Sequence, residues 1–358
     1  MSSDTCRSIT PPPLHSYETP PGSPYVLRPI SKQLRTCSFT PSNLYDAFGF
    51  QITSSPAQSN TNRLPHLDEW RLIVANWHIR KPSDKVLKHL FRSSIPPSIK
   101  GFAWLHISGA HFLKTEQNEL HYSHLLSLDD AKVRVQILKD VDRTMPGNSF
   151  FSTDRNGLGR QILYNVLAAF SASIPSIGYT QGMAFICAVL LLFMPEFDAF
   201  CTYSTLMNSS KYRLLELFKD NVPLVKECNW VLSNLIEKYL PNLFNHFNRN
   251  NVTCDIFATS WFLTLFVYSL PFPVVIRIWD LFIFEGWKVV FRVALGILTI
   301  LQDDLLKCDF ITIIQSLQHH QLQNSINNPD LLIETSLNIK LKTEEVVKLQ
   351  NLYKRMSS

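Results

Sequence analysis

The chain predicts an all-α fold: a multi-helix body behind a proline- and serine-rich N-terminal tail expected to be largely disordered. Three observations carry this. From Asp68 onward, apolar residues recur at helical spacing almost without interruption. Strand-like alternation and hairpin dipeptides are scarce, and no fixed repeat is present. The connections are short and often marked by proline. The organisation that follows is a tail over 1–66, a helical domain over 67–322, and C-terminal helices over 323–358 packing on it.

The tail holds ten of the 21 prolines and many Ser and Thr residues, too little apolar surface to offset ordering entropy. Five Ser/Thr-Pro pairs (Thr10, Thr19, Ser23, Thr40 and Ser55 before their prolines) read either as turn initiators or as sites of proline-directed phosphorylation. The stretch NLYDAFGFQI (43–52) is too aromatic for a free linker and is expected to dock on the body.

In the body, 69–77 repeats apolar residues at three and four, and 84–91 follows with Ser83 as N-cap. A helix over 97–107 opens on Pro97, as first helical turns do. Residues 121–128 are ambiguous. Over 130–142, Val133, Ile137 and Val141 share a face; over 161–170, Ile162, Val166 and Phe170 do. Helices are then expected over 181–193, 196–207, 212–218, 224–239, 256–270, 273–282, 287–306, 310–318, 330–339 and 343–353.

With 358 residues, 46% of them hydrophobic, the chain can bury a large core. The net charge of +5 is spread thinly, with no Lys/Arg run longer than two, which argues against nucleic acid as a partner. Seven scattered cysteines without a C-x-x-C pair read as reduced thiols of a cytoplasmic protein. No signal peptide is expected at the start. The uncharged run 256–276 is interrupted by Pro271 and Pro273, leaving less than the ~20 residues of a transmembrane helix. A membrane-embedded protein using that run is the weaker alternative.

Self-contained enzyme chemistry has no visible home. There is no phosphate-loop motif, no G-x-S-x-G and no H-E-x-x-H. Gly157-Leu-Gly159 starts a dinucleotide fingerprint, but Ile162 takes the third glycine's place. His121 and His124 lack further ligands at metal-site spacing. What remains is Arg143, at the end of a helix, and Gln181, at the start of another. Taken alone, Arg143 reads as a helix-terminal arginine pairing with Asp140 and the helix dipole. Gln181 alone reads as a capping amide.

Together they fall in motifs that resemble a known family. Ile137-x-x-Asp140-x-x-Arg143, followed by Thr144 and Pro146, resembles the arginine-finger motif of the Tre-2/Bub2/Cdc16 (TBC) domain. IGYTQGM (177–183), with Gly178, Tyr179, Gln181 and Gly182, resembles its glutamine-finger motif. IPPSIKGFAWLHISG (95–109), with Trp104, is similar to its opening segment, and 260–298, with Trp279, Asp280 and Gly286, to its third block. DAFGF (46–50) resembles a segment often found before it. The likeness runs from about Asp68 to Gln302. Four positions depart from the pattern: Ser94 stands where Gly is usual, Lys100 where Arg is, Thr180 where Cys is frequent, and Ala184 where Asn is.

The resemblance implies a GTPase-activating protein for a Rab-type small GTPase in its GTP form, acting in vesicle and membrane traffic. Arg143 and Gln181 would be supplied in trans, Asp140 would hold the arginine in line, and Tyr179 and Gly178 would shape the approach of Gln181. It implies no cofactor of the chain's own, since GTP and Mg²⁺ belong to the partner. No metal site and no transmembrane segment are expected, only peripheral association with endomembranes through the partner. A catalytically silent module that binds a small GTPase is the alternative. Trp261, Trp279 and Phe282 are expected in the core, and Arg277 with Asp280 is a candidate pair, either buried or lining a groove.

Overall fold

Why the body folds as it does is visible at its helix ends. The computed structural model describes residues 45–51, 66–128, 130–152 and 157–357. The first helices are α1 (Leu67–Asn76), α2 (Asp84–Ser93) and α3 (Pro97–Ser108), then α4 (Glu116–Leu125) and α5 (Ala131–Val141). The central group is α6 (Leu158–Ser173), α7 (Met183–Leu191) and α8 (Glu196–Asn208), followed by α9 (Pro223–Tyr239) and α10 (Pro241–Arg249). Two short helices, α11 (Cys254–Phe257) and α12 (Thr259–Leu263), lead into α13 (Phe272–Glu285) and α14 (Trp287–Leu305). The chain closes with α15 (Phe310–Leu317), α16 (His319–Ser325), α17 (Pro329–Asn338) and α18 (Thr343–Ser357).

Side-chain caps set several starts. Ser83 Oγ accepts the Val86 amide, Asp130 Oδ1 the Lys132 and Val133 amides, and Asp309 Oδ1 the Thr312 amide. Thr115 Oγ1 accepts the Asn118 amide and starts α4 five residues before the ambiguous stretch at 121. Prolines open α3, α9, α10 and α17.

The layers follow from the apolar faces. All of α7 except Phe185 is buried, so this helix lies at the centre, with α6 and α8 against it. In turn α5 packs on α6, while α3 bridges α8 to α13. The pair α13–α14 is covered by α17, and α9 carries α10, α11 and α18. The C-terminal helices therefore lie against the body; residue 322 itself falls within α16. Trp261, Trp279 and Phe282 are core residues, as is Trp104. Between α13 and α14, Gly286 takes φ 71°, ψ −152°, a region open essentially to glycine alone, and this allows two long helices to meet with no linker.

Three expectations are corrected. The apolar run 256–270 is not one helix. It breaks after α12, where Leu265 and Phe266 take left-handed φ of 46° and 65°, and the Phe266 amide turns back to the Trp261 carbonyl. Residues 212–218 form only a 3₁₀ turn, Leu214–Leu217. Arg277 does not pair with Asp280; it donates to the Arg92 carbonyl, and Asp280 is taken by Lys100, 180 residues away. The helices α10 and α16 were not anticipated. No helix of the described residues is long and apolar enough to cross a membrane.

The segment 45–51 docks on the body. Phe48 and Phe50 pack on Phe272 with ring centroids 5.6 and 4.7 Å apart, and Asn148 Nδ2 donates to the Phe48 carbonyl. The rest of the tail, with its Ser/Thr-Pro pairs, lies outside the described residues.

Candidate functional site

The site is built around one carboxylate. Asp140 sits on the last turn of α5, only 4% exposed, and its two oxygens accept from three groups. Oδ1 takes Arg143 Nε at 2.8 Å and Arg143 Nη2. Oδ2 takes the Tyr179 hydroxyl at 2.6 Å and the Gly182 amide at 3.0 Å. A buried carboxylate needs such donors to offset its lost hydration. Here they come from two chain segments about forty residues apart, so the end of α5 and the start of α7 are locked together.

Each local element explains its part. Ile137 is fully buried and fixes α5 to the core one turn before Asp140. The Thr144 hydroxyl donates to the Asp140 carbonyl at 2.6 Å and closes the helix end, after which Met145 turns away at φ 50°. Ser149 and Gln51 amides then tie this turn to the docked segment through the Gly49 and Gly147 carbonyls. On the other side, Gly178 at φ 61° and Gly182 at φ 101° bracket the loop, and Gly182 turns the chain into α7. Tyr179 is buried; burial first, then the Asp140 carboxylate, push its phenol well above the ordinary tyrosine value, so it is a donor at every physiological pH.

The two expected fingers line one groove. Arg143, half exposed, and Gln181, exposed, share an opening of about 450 Å³ with Gln136, Lys139 and Thr180. The pairing of Arg143 with Asp140 anticipated from spacing is present, but it uses only one edge of the guanidinium. Gln181 precedes the capping residue Gly182 rather than capping α7, and its amide has no hydrogen-bond partner among the described residues. Ala184 is fully buried beneath the loop. Sequence reasoning missed the contact between Thr180 and Phe218; only the departure from Cys at 180 pointed there.

The structural motif residues assemble elsewhere. Trp104 Nε1 and Lys100 Nζ both donate to Asp280, at 3.0 and 2.5 Å, with all three side chains buried. Among the described residues, no group of three or more His, Cys, Asp or Glu side chains is placed to hold a metal ion.

On this helical body an arginine and an amide open on one groove. Comparison with known proteins makes this specific. The family model of the Rab-GTPase-TBC domain matches residues 97–306, and the chain belongs to that family. It is 34% identical over 337 residues to the human ecotropic viral integration site 5 protein homolog, which covers 92% of this chain and 40% of that protein. It is 30% identical to the Caenorhabditis elegans Rab GTPase-activating protein eat-17, over 79% of this chain and 31% of that one. The chain thus spans less than half the length of these relatives. Among solved structures, the Chlamydomonas flagellar RabGAP TBC domain aligns with TM-score 0.68 at 25% identity, covering 82% of this chain and 99% of that one. The Ypt/Rab-GAP domain of Gyp1p aligns with TM-score 0.61 at 19% identity, covering 79% and 98%.

Proposed function

We propose that this chain is a GTPase-activating protein for a Rab-type small GTPase, acting in membrane traffic by lending Arg143 and Gln181 to the partner's nucleotide site. The observation that carries the reading is the Asp140 node, which ties the arginine-bearing helix end to the glutamine-bearing loop so that both side chains open on one groove. Hydrolysis on a small GTPase is slow because charge develops around the γ-phosphate without enough to stabilise it. A guanidinium supplied in trans answers that charge with a delocalised cation and several N–H donors, an effect of about 10³–10⁵ in rate, or about 4–7 kcal/mol. In this reading Asp140 holds one edge of the guanidinium and leaves Nη1, which has no partner among the described residues, to face the phosphate. The Gln181 amide donates and accepts at once, which suits it to orient the attacking water in place of the GTPase's own glutamine. GTP and Mg²⁺ arrive with the partner, and membrane association follows from the partner as well.

The test is single-turnover hydrolysis across a panel of GTP-loaded Rabs. A responding Rab should lose stimulation with Arg143→Ala and with Arg143→Lys, since lysine lacks the planar fork. It should be severely impaired with Gln181→Ala, and a Rab variant without its own glutamine should still respond. A wild-type rate from Arg143→Ala ends the reading. Capture of a Rab without any rate change would instead identify a silent binding module.

A further inference from the structure

Gln181 has no side-chain anchor among the described residues, so its direction is set by the backbone of Thr180 and Gly182 alone. Asp140 braces that backbone from one side. The opposite side is braced by a turn that the mechanism above does not use. The Thr180 hydroxyl donates to the Phe218 carbonyl at 3.3 Å. The Phe218 ring lies over Gly182, where a Cβ would sit 3.5 Å from its Cε1 atom. One residue, Phe218, therefore touches both neighbours of Gln181, and it is 4% exposed.

The turn that presents Phe218 is held unusually firmly. It starts at Arg213, in the left-handed region at φ 53°, and ends at Asn221 and Val222, with φ of 63° and 44°. A β-branched residue there is a genuine outlier, and such strain persists only where the surroundings over-determine it. At the back of the turn Val222 packs on the core, and its amide donates to the Lys219 carbonyl; at the front stands a fork of four hydrogen bonds. Arg213 donates from Nε and Nη2 to Glu216 at 2.9 and 2.7 Å, and from Nη1 and Nη2 to Glu227 at 2.7 and 2.9 Å. Glu227 lies on α9 and is 4% exposed, so the fork pins the front of the turn to the helix that follows it. The Thr180 contact also gives a purpose to a departure from the family pattern, because a hydroxyl stands where cysteine is frequent and a thiol is a weaker donor.

We propose that the 213–222 turn is the second brace of the glutamine loop, with Phe218 the positioning residue that fixes where Gln181 points. This rests on the GTPase-activating reading and adds a residue to it. Because a misplacement of about 1 Å can cost about 10²-fold in rate, Phe218→Ala should lower kcat of stimulated hydrolysis by about 10–100-fold while KM moves by less than about threefold. Phe218→Leu, which keeps an apolar side chain over Gly182, should recover most of it. Thr180→Val, which removes only the hydroxyl, should cost about three- to tenfold.

The deciding measurement is a double-mutant cycle on a GTP-loaded Rab that the wild-type chain stimulates. In the Gln181→Ala background, both Phe218→Ala and Thr180→Val should cost nothing further. A full additional loss in that background means Phe218 acts through the fold at large, and the brace is wrong. Full activity of both single variants is equally fatal to it. Should Phe218→Ala fail to fold, Thr180→Val in the same cycle decides. If Gln181→Ala itself keeps the wild-type rate, the underlying reading falls, and the brace falls with it; that result is distinct from either failure of the brace alone.

Discussion

Asp280 and Asp140 are buried carboxylates that each hold a cation, and they do opposite things with it. Asp280 receives Lys100 and the Trp104 indole in the interior, and nothing of the lysine reaches solvent. Burial pushes the Lys100 amine down and the Asp280 carboxyl up, each against the pull of its partner. The cost of desolvation opposes the attraction in both partners, and the pair joins α3 to α13. Asp140 is also buried, 4% exposed against 0% for Asp280, but its arginine is half exposed. Two of its four bonds go to the facing loop. On the proposed function, loss of the sealed pair should be felt in stability and loss of the open one in rate.

The largest effect that could break this contrast comes from removing the two cations. Arg143→Ala should lower stimulated hydrolysis by about 10³-fold or more while leaving the melting temperature within a few degrees of wild type. Lys100→Ala should do the reverse in kind. It strands Asp280 in the core and should cost about 3–5 kcal/mol of unfolding free energy by denaturant titration. Folded Lys100→Ala protein should keep a near-normal rate at low temperature. Replacing both members, Lys100→Met with Asp280→Leu, should return part of that loss: the stranded charge is gone, while the buried Trp104 indole N–H loses its acceptor at a cost of about 1–3 kcal/mol. If the double variant is as unstable as the single one, the pair is worth more than burial allows and the contrast is wrong.

Asp140→Asn sharpens the same comparison with a smaller change. An amide can still accept from Arg143 or from Tyr179, but it cannot accept from Arg143, Tyr179 and Gly182 in the present arrangement, because one of its two ends is now a donor. The Gly182 amide then faces an N–H group. We expect a rate loss of about 10²-fold with a stability loss of about 1–3 kcal/mol, measured by single-turnover hydrolysis and urea titration on one preparation. A stability loss without a rate loss would make Asp140 a second sealed node.

How much of this was legible in the sequence differs between the two nodes. Asp140 and Arg143 lie three residues apart across one helix end, so their contact follows from spacing, and Ser83, Asp130 and Asp309 announce their helices because capping is local chemistry. Lys100 and Asp280 are 180 residues apart, and the nearer Arg277 offered a false partner at three residues. Local spacing proposes contacts; it cannot rank them against contacts made by the fold. The break at Leu265–Phe266 was hidden for a related reason. Neither residue prefers a left-handed backbone, so only tertiary packing puts them there. The same holds for Arg213 and Val222, which is why the turn behind Gln181 left no mark in the sequence beyond Thr180.

The smallest effect tests a departure that structure turns into a prediction. Ser94 joins α2 to the segment leading into α3, the helix that carries Lys100. Its φ is 121°, within the range that L side chains rarely adopt and glycine adopts freely. Glycine is the usual residue of the resembling family at this place, and the backbone explains why. Ser94→Gly relieves strain in the folded chain but adds freedom to the unfolded one, worth up to about 1 kcal/mol in the other direction. Strain at such a position costs about 1–3 kcal/mol, so the balance should favour the variant by about 1 kcal/mol. The gain should appear as a higher denaturant midpoint with an unchanged slope, and stimulated hydrolysis should not move. Because Ser94 lies on the Lys100 side of the molecule, a change in rate with this substitution would mean that the sealed region communicates with the groove. A loss of stability would mean that the serine's backbone is relaxed where its dihedral angle says it is strained.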